Sequence, residues 1–207
     1  TTTIQAGIDA AMPGDVIVVD SGVYNENIVI NKSVDLRGAQ YYNDPRPGGT
    51  RIPNSPNESI IRGDRLNNIV IVSADDVVID GFQISHNIST SGNADILTTS
   101  GSGTGLSIRH NIITNASDEG IQIRNYSDIE AYRNYVSNTV GDGINFCDDK
   151  TGTNHIIREN FIESSTSEHG GIYIYSINDV LIESNTIQNC KNGIRVSRSS
   201  GSVEVTN

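Results

Sequence analysis

Asn recurs along this chain in a fixed relation to alternating apolar positions. The stretches HNIITNASDEGIQIRN (110–125), RNYVSNTVGDGINFCD (133–148), ENFIESSTSEHGGIYIYS (159–176) and SNTIQNCKNGIRVSRS (184–199) are variations on one unit. Each has an Asn, a β-branched or aromatic run, a small-polar patch, and a Gly ahead of an alternating segment. The register Asn stands at 111, 134, 160, 185 and 207, in steps of 23, 26, 25 and 22 residues. Gly81 and Gly38 read as earlier occupants of the same place. Their longer steps of 30 and 43 absorb two insertions, HNISTSGNADILTTSGSGTG and QYYNDPRPGGTRIPNSPN. A repeat of this length made of short strands marks a solenoid. The units have no Leu framework and no helical segment, which excludes leucine-rich repeats.

Within each unit the apolar period is 2, the signature of half-buried strands. Three residues before the Asn stand Ile108, Ala131, Ile157 and Ile182; two after it stand Ile113, Val136, Ile162 and Ile187. After the Gly come Ile121, Ile144, Ile172 and Ile194, then Ile123, Phe146, Ile174 and Val196. Stacked units lay these side chains on one another in interior ladders, each burial contributing about 1.5–3 kcal/mol. The pattern predicts an all-β fold, a single-stranded right-handed parallel β-helix of about seven coils, rising about 4.8 Å per coil. Asn and Gly are expected at the bends, where left-handed dihedrals cost them least. A second polar column, Asn115, Asn138, Ser164 and Asn189, is expected at the next turn. Ile4, Ile8 and Ala11 recur at helical spacing, so residues 1–15 are read as a short capping helix over the first coil. One domain spans 1–207. The last coil breaks off after SVEVTN with no matching cap, which predicts further domains of the same parent chain.

Composition adds limits. Trp is absent and hydrophobic content is only 35 %, yet the Ile and Val ladders keep the chain in the ordered class. A formal charge of −11 argues against a nucleic-acid partner, whose binders carry the opposite sign. No apolar run is long enough for a transmembrane helix. The two cysteines, Cys147 and Cys190, fall about two coil rises apart, beyond the roughly 7 Å Cα limit for a disulfide, and are read as free thiols.

The opening TIQAGIDAAMPGDVIVVDSGVYNENIVINKSVDLRGA resembles the start of the pectin-lyase-like parallel β-helix proteins, and the later GI-x-[IV]…N-x-I units resemble their repeats. The resemblance covers essentially the whole chain. It implies secreted or cell-surface carbohydrate chemistry. The family includes pectate lyases, polygalacturonases, uronate epimerases, surface proteins of archaea and bacteria, and disaggregatase-type lyases of surface polysaccharides. The chain has no polygalacturonase-like NTD…DD…GHG set and no epimerase-like DPHE, so no catalytic residue is carried over.

The resemblance also implies that the outer face of the Gly-led sheet is the saccharide groove. Its outward columns are Gln122, Asn145, Tyr173 and Arg195, then Arg124, Cys147, Tyr175 and Ser197. Tyr rings suit sugar C–H faces, and Arg suits carboxylates through bidentate bonds. Acids cluster in the flanking loops: Asp118, Glu119, Asp142 and Glu168 before the strands, with His169, and Asp148 and Asp149 after them. Two carboxylates at coil spacing suit glycoside hydrolysis. Two or three suit Ca²⁺ held against a uronate, which acidifies the C5 proton for β-elimination. Asp148 and Asp149 are the expected metal ligands. Asp142, Asp148, His169, Tyr173 and Arg124 are the expected catalytic set, with Gln122, Asn145, Tyr175, Arg195 and Glu119 binding substrate. The expected function is an extracellular polysaccharide-active enzyme, a lyase ahead of a glycoside hydrolase. The competing reading is a non-catalytic glycan-binding, structural or adhesion module of a cell-surface protein. Non-uniformity between residues 118 and 176 favours the enzyme, because a spacer would keep its ladders uniform.

Overall fold

The computed structural model describes residues 3–63, 66–86, 95–147, 153–163, 170–199 and 201–207. Three long sheets, all with parallel pairing, wrap one interior: a parallel β-helix. Seven strands form the Gly-led sheet: Ile28–Ile30, Val70–Val72, Leu97–Thr99, Ile121–Arg124, Ile144–Cys147, Gly170–Tyr175 and Asn192–Ser197. A second sheet of eight runs from Val16–Val18 to Val203–Thr206 and precedes the Asn turn; a third of seven, Gly22–Tyr24 to Thr186–Gln188, follows it. Register is one-to-one, as in Ile121↔Ile144↔Ile172↔Ile194 and Ile123↔Phe146↔Ile174↔Val196. The interior is the expected ladder: Ile108, Ala131, Ile157, Ile113, Val136, Ile121, Ile144, Ile172, Ile123, Phe146 and Ile174 are buried. Ile194 keeps the inward register but is 37 % exposed, because Asn192–Ser197 is the outermost strand of its sheet.

The Asn column works as a hydrogen-bonded stack. Oδ1 of Asn134 accepts from the backbone N–H of Asn111 at 3.0 Å and from its Nδ2 at 3.2 Å. Asn160 does the same for Asn134, and Asn185 for Asn160. Each Nδ2 also reaches back to a strand carbonyl of the preceding coil, Ile79, Ile108, Ala131 and Ile157 in turn. Every side chain thus satisfies backbone groups at a bend buried from water.

Two details of the bends differ from expectation. The left-handed residue at the first bend is the one before each Asn: His110, Arg133, Glu159 and Ser184, with φ of 50°, 51°, 51° and 53°. Strand register aligns Gly81 and Gly38 with His110, one residue ahead of the Asn column, not within it. At the next bend Asn115, Asn138 and Asn189 do take positive φ; Ser164 lies outside the described residues. The Gly ahead of each Gly-led strand has a different cause. Gly120, Gly143 and Gly171 do not have positive φ; a Cβ on Gly120 would sit 2.6 Å from the Gly143 carbonyl oxygen, and one on Gly143 2.8 Å from that of Gly171. Close approach between coils excludes a side chain there.

The helix Ile4–Ala10 packs on the first coil with Ile4 and Ile8 buried. Thr3 caps it by accepting from the Ala6 N–H. The Gln5 amide pairs with both the N–H and the C=O of Val29, which closes the exposed edge of the first Gly-led strand. The insertion at 40–57 forms a strap across the Asn turn. Arg51 ion-pairs with Glu58, both side chains at most 2 % exposed, and donates to the carbonyls of Phe82 and His110. Arg46 reaches further down the stack, to the carbonyl of Glu159.

Candidate functional site

Pleating sends alternate residues of the Gly-led strands outward. The register lines them up as Val29, Ile71, Thr98, Gln122, Asn145, Tyr173 and Arg195, with Arg124, Cys147, Tyr175 and Ser197 alongside. Over the middle of this face lies a cavity of about 380 Å³, lined among others by Asn68, Asp95, Thr98, Asp118, Gln122 and Arg124. The expected face therefore carries a concave site.

Three acids gather at it. Asp95, Asp118 and Glu119 each place one carboxylate oxygen within 4.8 Å of the others. Asp95 and Glu119 are 7 % and 8 % exposed; Asp118 is half-buried. Neighbouring strands bring them together: the Asp95 N–H donates to Asn68 Oδ1 at 2.9 Å, the Ile96 N–H to the Glu119 carbonyl at 3.1 Å, and the Glu119 N–H to Asp95 Oδ1 at 3.4 Å. Burial pushes the Glu119 carboxyl above the usual carboxylate range, and Asp95 beside it adds to the effect. Burial also raises Asp95; bonding to Glu119 offsets part of this, and the Asp118 charge adds to it.

Buried acceptors here lack donors. Asn145 Nδ2 bridges Glu119 Oε1 at 3.3 Å and Asp142 Oδ2 at 3.2 Å. Glu119 Oε2 and Asn145 Oδ1 are buried with no hydrogen-bond partner among the described residues. Flipping the amide would turn its oxygen toward two carboxylates, so the assigned orientation is the favourable one. Orphaned acceptors beside clustered carboxylates leave a shortage of positive charge, which a shared proton or a cation can supply. The all-oxygen donor set fits a hard cation such as Ca²⁺ and not a thiolate- or imidazole-seeking metal.

The structure brings Glu119, Gln122, Arg124, Asp142 and Asn145 together. Gln122 and Asn145 point outward in register yet are only 7 % and 6 % exposed. Arg124 is exposed, its backbone pinned by Thr99 Oγ1, which accepts from the Arg124 N–H and donates to its carbonyl, both at 2.8 Å. Asp142 is fully buried; its Oδ1 accepts from the Gly170 N–H and its Oδ2 from Asn145. Tyr173 and Tyr175 continue the same face two strands beyond Gln122 and Arg124, and Arg195 three strands beyond. Asp148, Asp149 and His169 lie outside the described residues. The acid cluster contains one residue the repeat analysis passed over: Asp95 sits inside the second insertion, two residues ahead of the strand Leu97–Thr99. Its signal was the Asp-Ile-Leu step, which repeats the acid-Gly-Ile of 119–121 with Ile in place of Gly. Both cysteines are free, as expected.

No curated protein and no solved structure gives a significant match to the chain. A family model described as "Right handed beta helix region" matches residues 54–207, which hold the Asn stack, the Gly-led strands from Val70 onward and the whole acid cluster. With three-quarters of its length matched and its coils stacked in parallel, this chain belongs to the right-handed β-helix family, a fold common to carbohydrate-active enzymes.

Proposed function

We propose that this β-helix acts on polysaccharide outside the cell, as a lyase, in the groove over the Gly-led sheet. The observation that carries this reading is the Asp95–Asp118–Glu119 cluster on the cavity, with orphaned buried acceptors and an exposed Arg124 alongside. Asp95, Asp118 and Glu119 would hold Ca²⁺. The bound ion would neutralise a uronate carboxylate and make the adjoining C5 proton more acidic. Arg124 pairs with the same carboxylate and orients the sugar. Gln122 bonds the sugar hydroxyls, and Asn145 ties Glu119 to Asp142 by donating to both carboxylates. The C5 proton goes to a basic group at the groove; Tyr173 stands two strands beyond Gln122, and His169 lies outside the described residues. The C4–O bond then breaks, and its oxygen leaves with the departing sugar as a hydroxyl once protonated. A C4–C5 double bond remains on the other fragment.

A glycan-binding module without turnover is favoured by one observation: Asp142 is fully buried and spends both carboxylate oxygens inside the protein. Incubation with polygalacturonate and alginate, with Ca²⁺ and with chelator, separates the two. The lyase reading expects Ca²⁺-dependent ultraviolet absorbance from the conjugated double bond. Binding of a polymer with no such absorbance leaves the module reading.

A further inference from the structure

The far end of the groove has a chemistry opposite to that of the acid cluster. The Arg195 guanidinium lies 5.0 Å from the ring centroid of Tyr173, and that of Arg198 lies 5.5 Å from Tyr175. Arg198 Nη1 also donates to the Tyr175 hydroxyl at 2.8 Å, and the two rings sit 6.0 Å apart. Both arginines are exposed. Among the described residues neither has a carboxylate at ion-pair distance, whereas Arg37, Arg46, Arg51, Arg109, Arg133 and Arg158 all do. The segment 184–199 holds Lys191, Arg195 and Arg198 and no acid, in a chain of net charge −11.

Uncompensated charge has a physical consequence here. A guanidinium stacked on a ring keeps its N–H groups in its own plane, and that edge matches a carboxylate bidentately. Stacking also removes part of the rotamer entropy an exposed Arg would lose on binding. Tyr173 and Arg195 share the outward column of Gln122 and Asn145, two and three strand spacings of about 4.8 Å from Gln122. A polymer lying along the face from the acid cluster therefore meets these arginines several sugars away.

Building on the groove reading above, we infer that Arg195 and Arg198, seated on Tyr173 and Tyr175, form a second subsite that takes the carboxylates of a uronate-containing polysaccharide. The acid cluster recognises an anionic chain only with a cation between them; the arginine subsite recognises it directly. Beyond the one carboxylate contact given to Arg124, metal-independent selectivity for acidic over neutral glycan thus belongs to Arg195 and Arg198.

The test compares binding of polygalacturonate with binding of its carboxyl-reduced form, by calorimetry at low salt in the presence of chelator. The parent chain is expected to prefer the acidic polymer, and R195Q/R198Q to lose roughly tenfold of that preference, the size of a lost pair of charge-assisted contacts. The D118N/E119Q variant is expected to keep the preference while losing any Ca²⁺-dependent gain. Unaltered preference in R195Q/R198Q, or none in the parent, overturns the subsite. Loss of preference in R195Q/R198Q together with no Ca²⁺ effect in the parent upholds the subsite and removes the metal from the groove reading. Failure of the parent to bind either polymer overturns both.

Discussion

The carboxyl groups of Asp95 and Glu119 face each other across adjacent coils, each more than nine-tenths buried and each raised above its ordinary range. An acid whose pKa is raised by folding binds its proton more tightly in the native state than in the unfolded chain. Its contribution to stability is full below the unfolded pKa and is lost as pH rises through the folded one. The chelated protein is therefore expected to lose melting temperature as pH climbs above about 4, the unfolded value, and through the raised folded values of the two acids. If the cluster holds Ca²⁺ as proposed, added Ca²⁺ is expected to restore the loss by replacing the proton, and D95N/E119Q to flatten the profile. Melting curves across pH, with Ca²⁺ and with chelator, check this. A parent profile that is flat, or unchanged by Ca²⁺, contradicts it.

Asn134→Ala removes one rung of the stack, leaves the Asn111 N–H without a partner in a buried bend, and takes one of its two bonds from the Ile108 carbonyl. An orphaned group of this kind costs about 1–3 kcal/mol. The expected loss is about 2–5 kcal/mol by urea denaturation, with the far-ultraviolet spectrum still that of a β protein. A loss under 1 kcal/mol means that the stack is decorative.

Gly143→Ala tests the close approach of coils. Its Cβ would meet the Gly171 carbonyl oxygen at 2.8 Å and Ile162 Cγ2 at 2.5 Å. Backbone cannot yield as a flexible side-chain tip can, so the expected cost is about 1–3 kcal/mol. Gly193→Ala, with no neighbour within 4 Å, is the control and is expected to change stability by less than about 0.5 kcal/mol.

Ile174→Ala is expected to cost about 2–5 kcal/mol, since Ile174 is fully buried between Phe146 and Val196. Arg195→Ala, on the outward face of the neighbouring strand, is expected to cost well under 1 kcal/mol. Equal losses at the two positions would show a register slipped by one, which would turn the groove inside out.

The interior was readable because burial imposes period 2 on every strand, and stacking repeats it coil after coil. Ile108, Ile121 and Ile123 declare themselves that way. The bends were only half readable. Asn138 at positive φ follows from residue preference, but Arg133 and Glu159 do not. They adopt left-handed backbone because the following Asn repays the strain by bonding several buried backbone groups. Gly120 looked like a dihedral requirement and is a steric one, a distinction that needs the neighbouring coil. Asp95 was hidden because its insertion interrupts the repeat, and alignment by repeat discards what interrupts it. Gln122 and Asn145 were placed on the correct face, but alternation does not encode that they are only 7 % and 6 % exposed.

A solenoid in which each coil touches only its neighbours is free to come apart from either end, one coil at a time. The 40–57 strap alters that order. Arg46 bonds a carbonyl 113 residues away, and Arg51 joins the Phe82 and His110 turns to a buried carboxylate. Coils between those anchors cannot peel until the strap lets go. Unfolding of this stretch is then a single latch event, and the acid cluster, whose strands fall within the bracketed span, inherits the latch's lifetime.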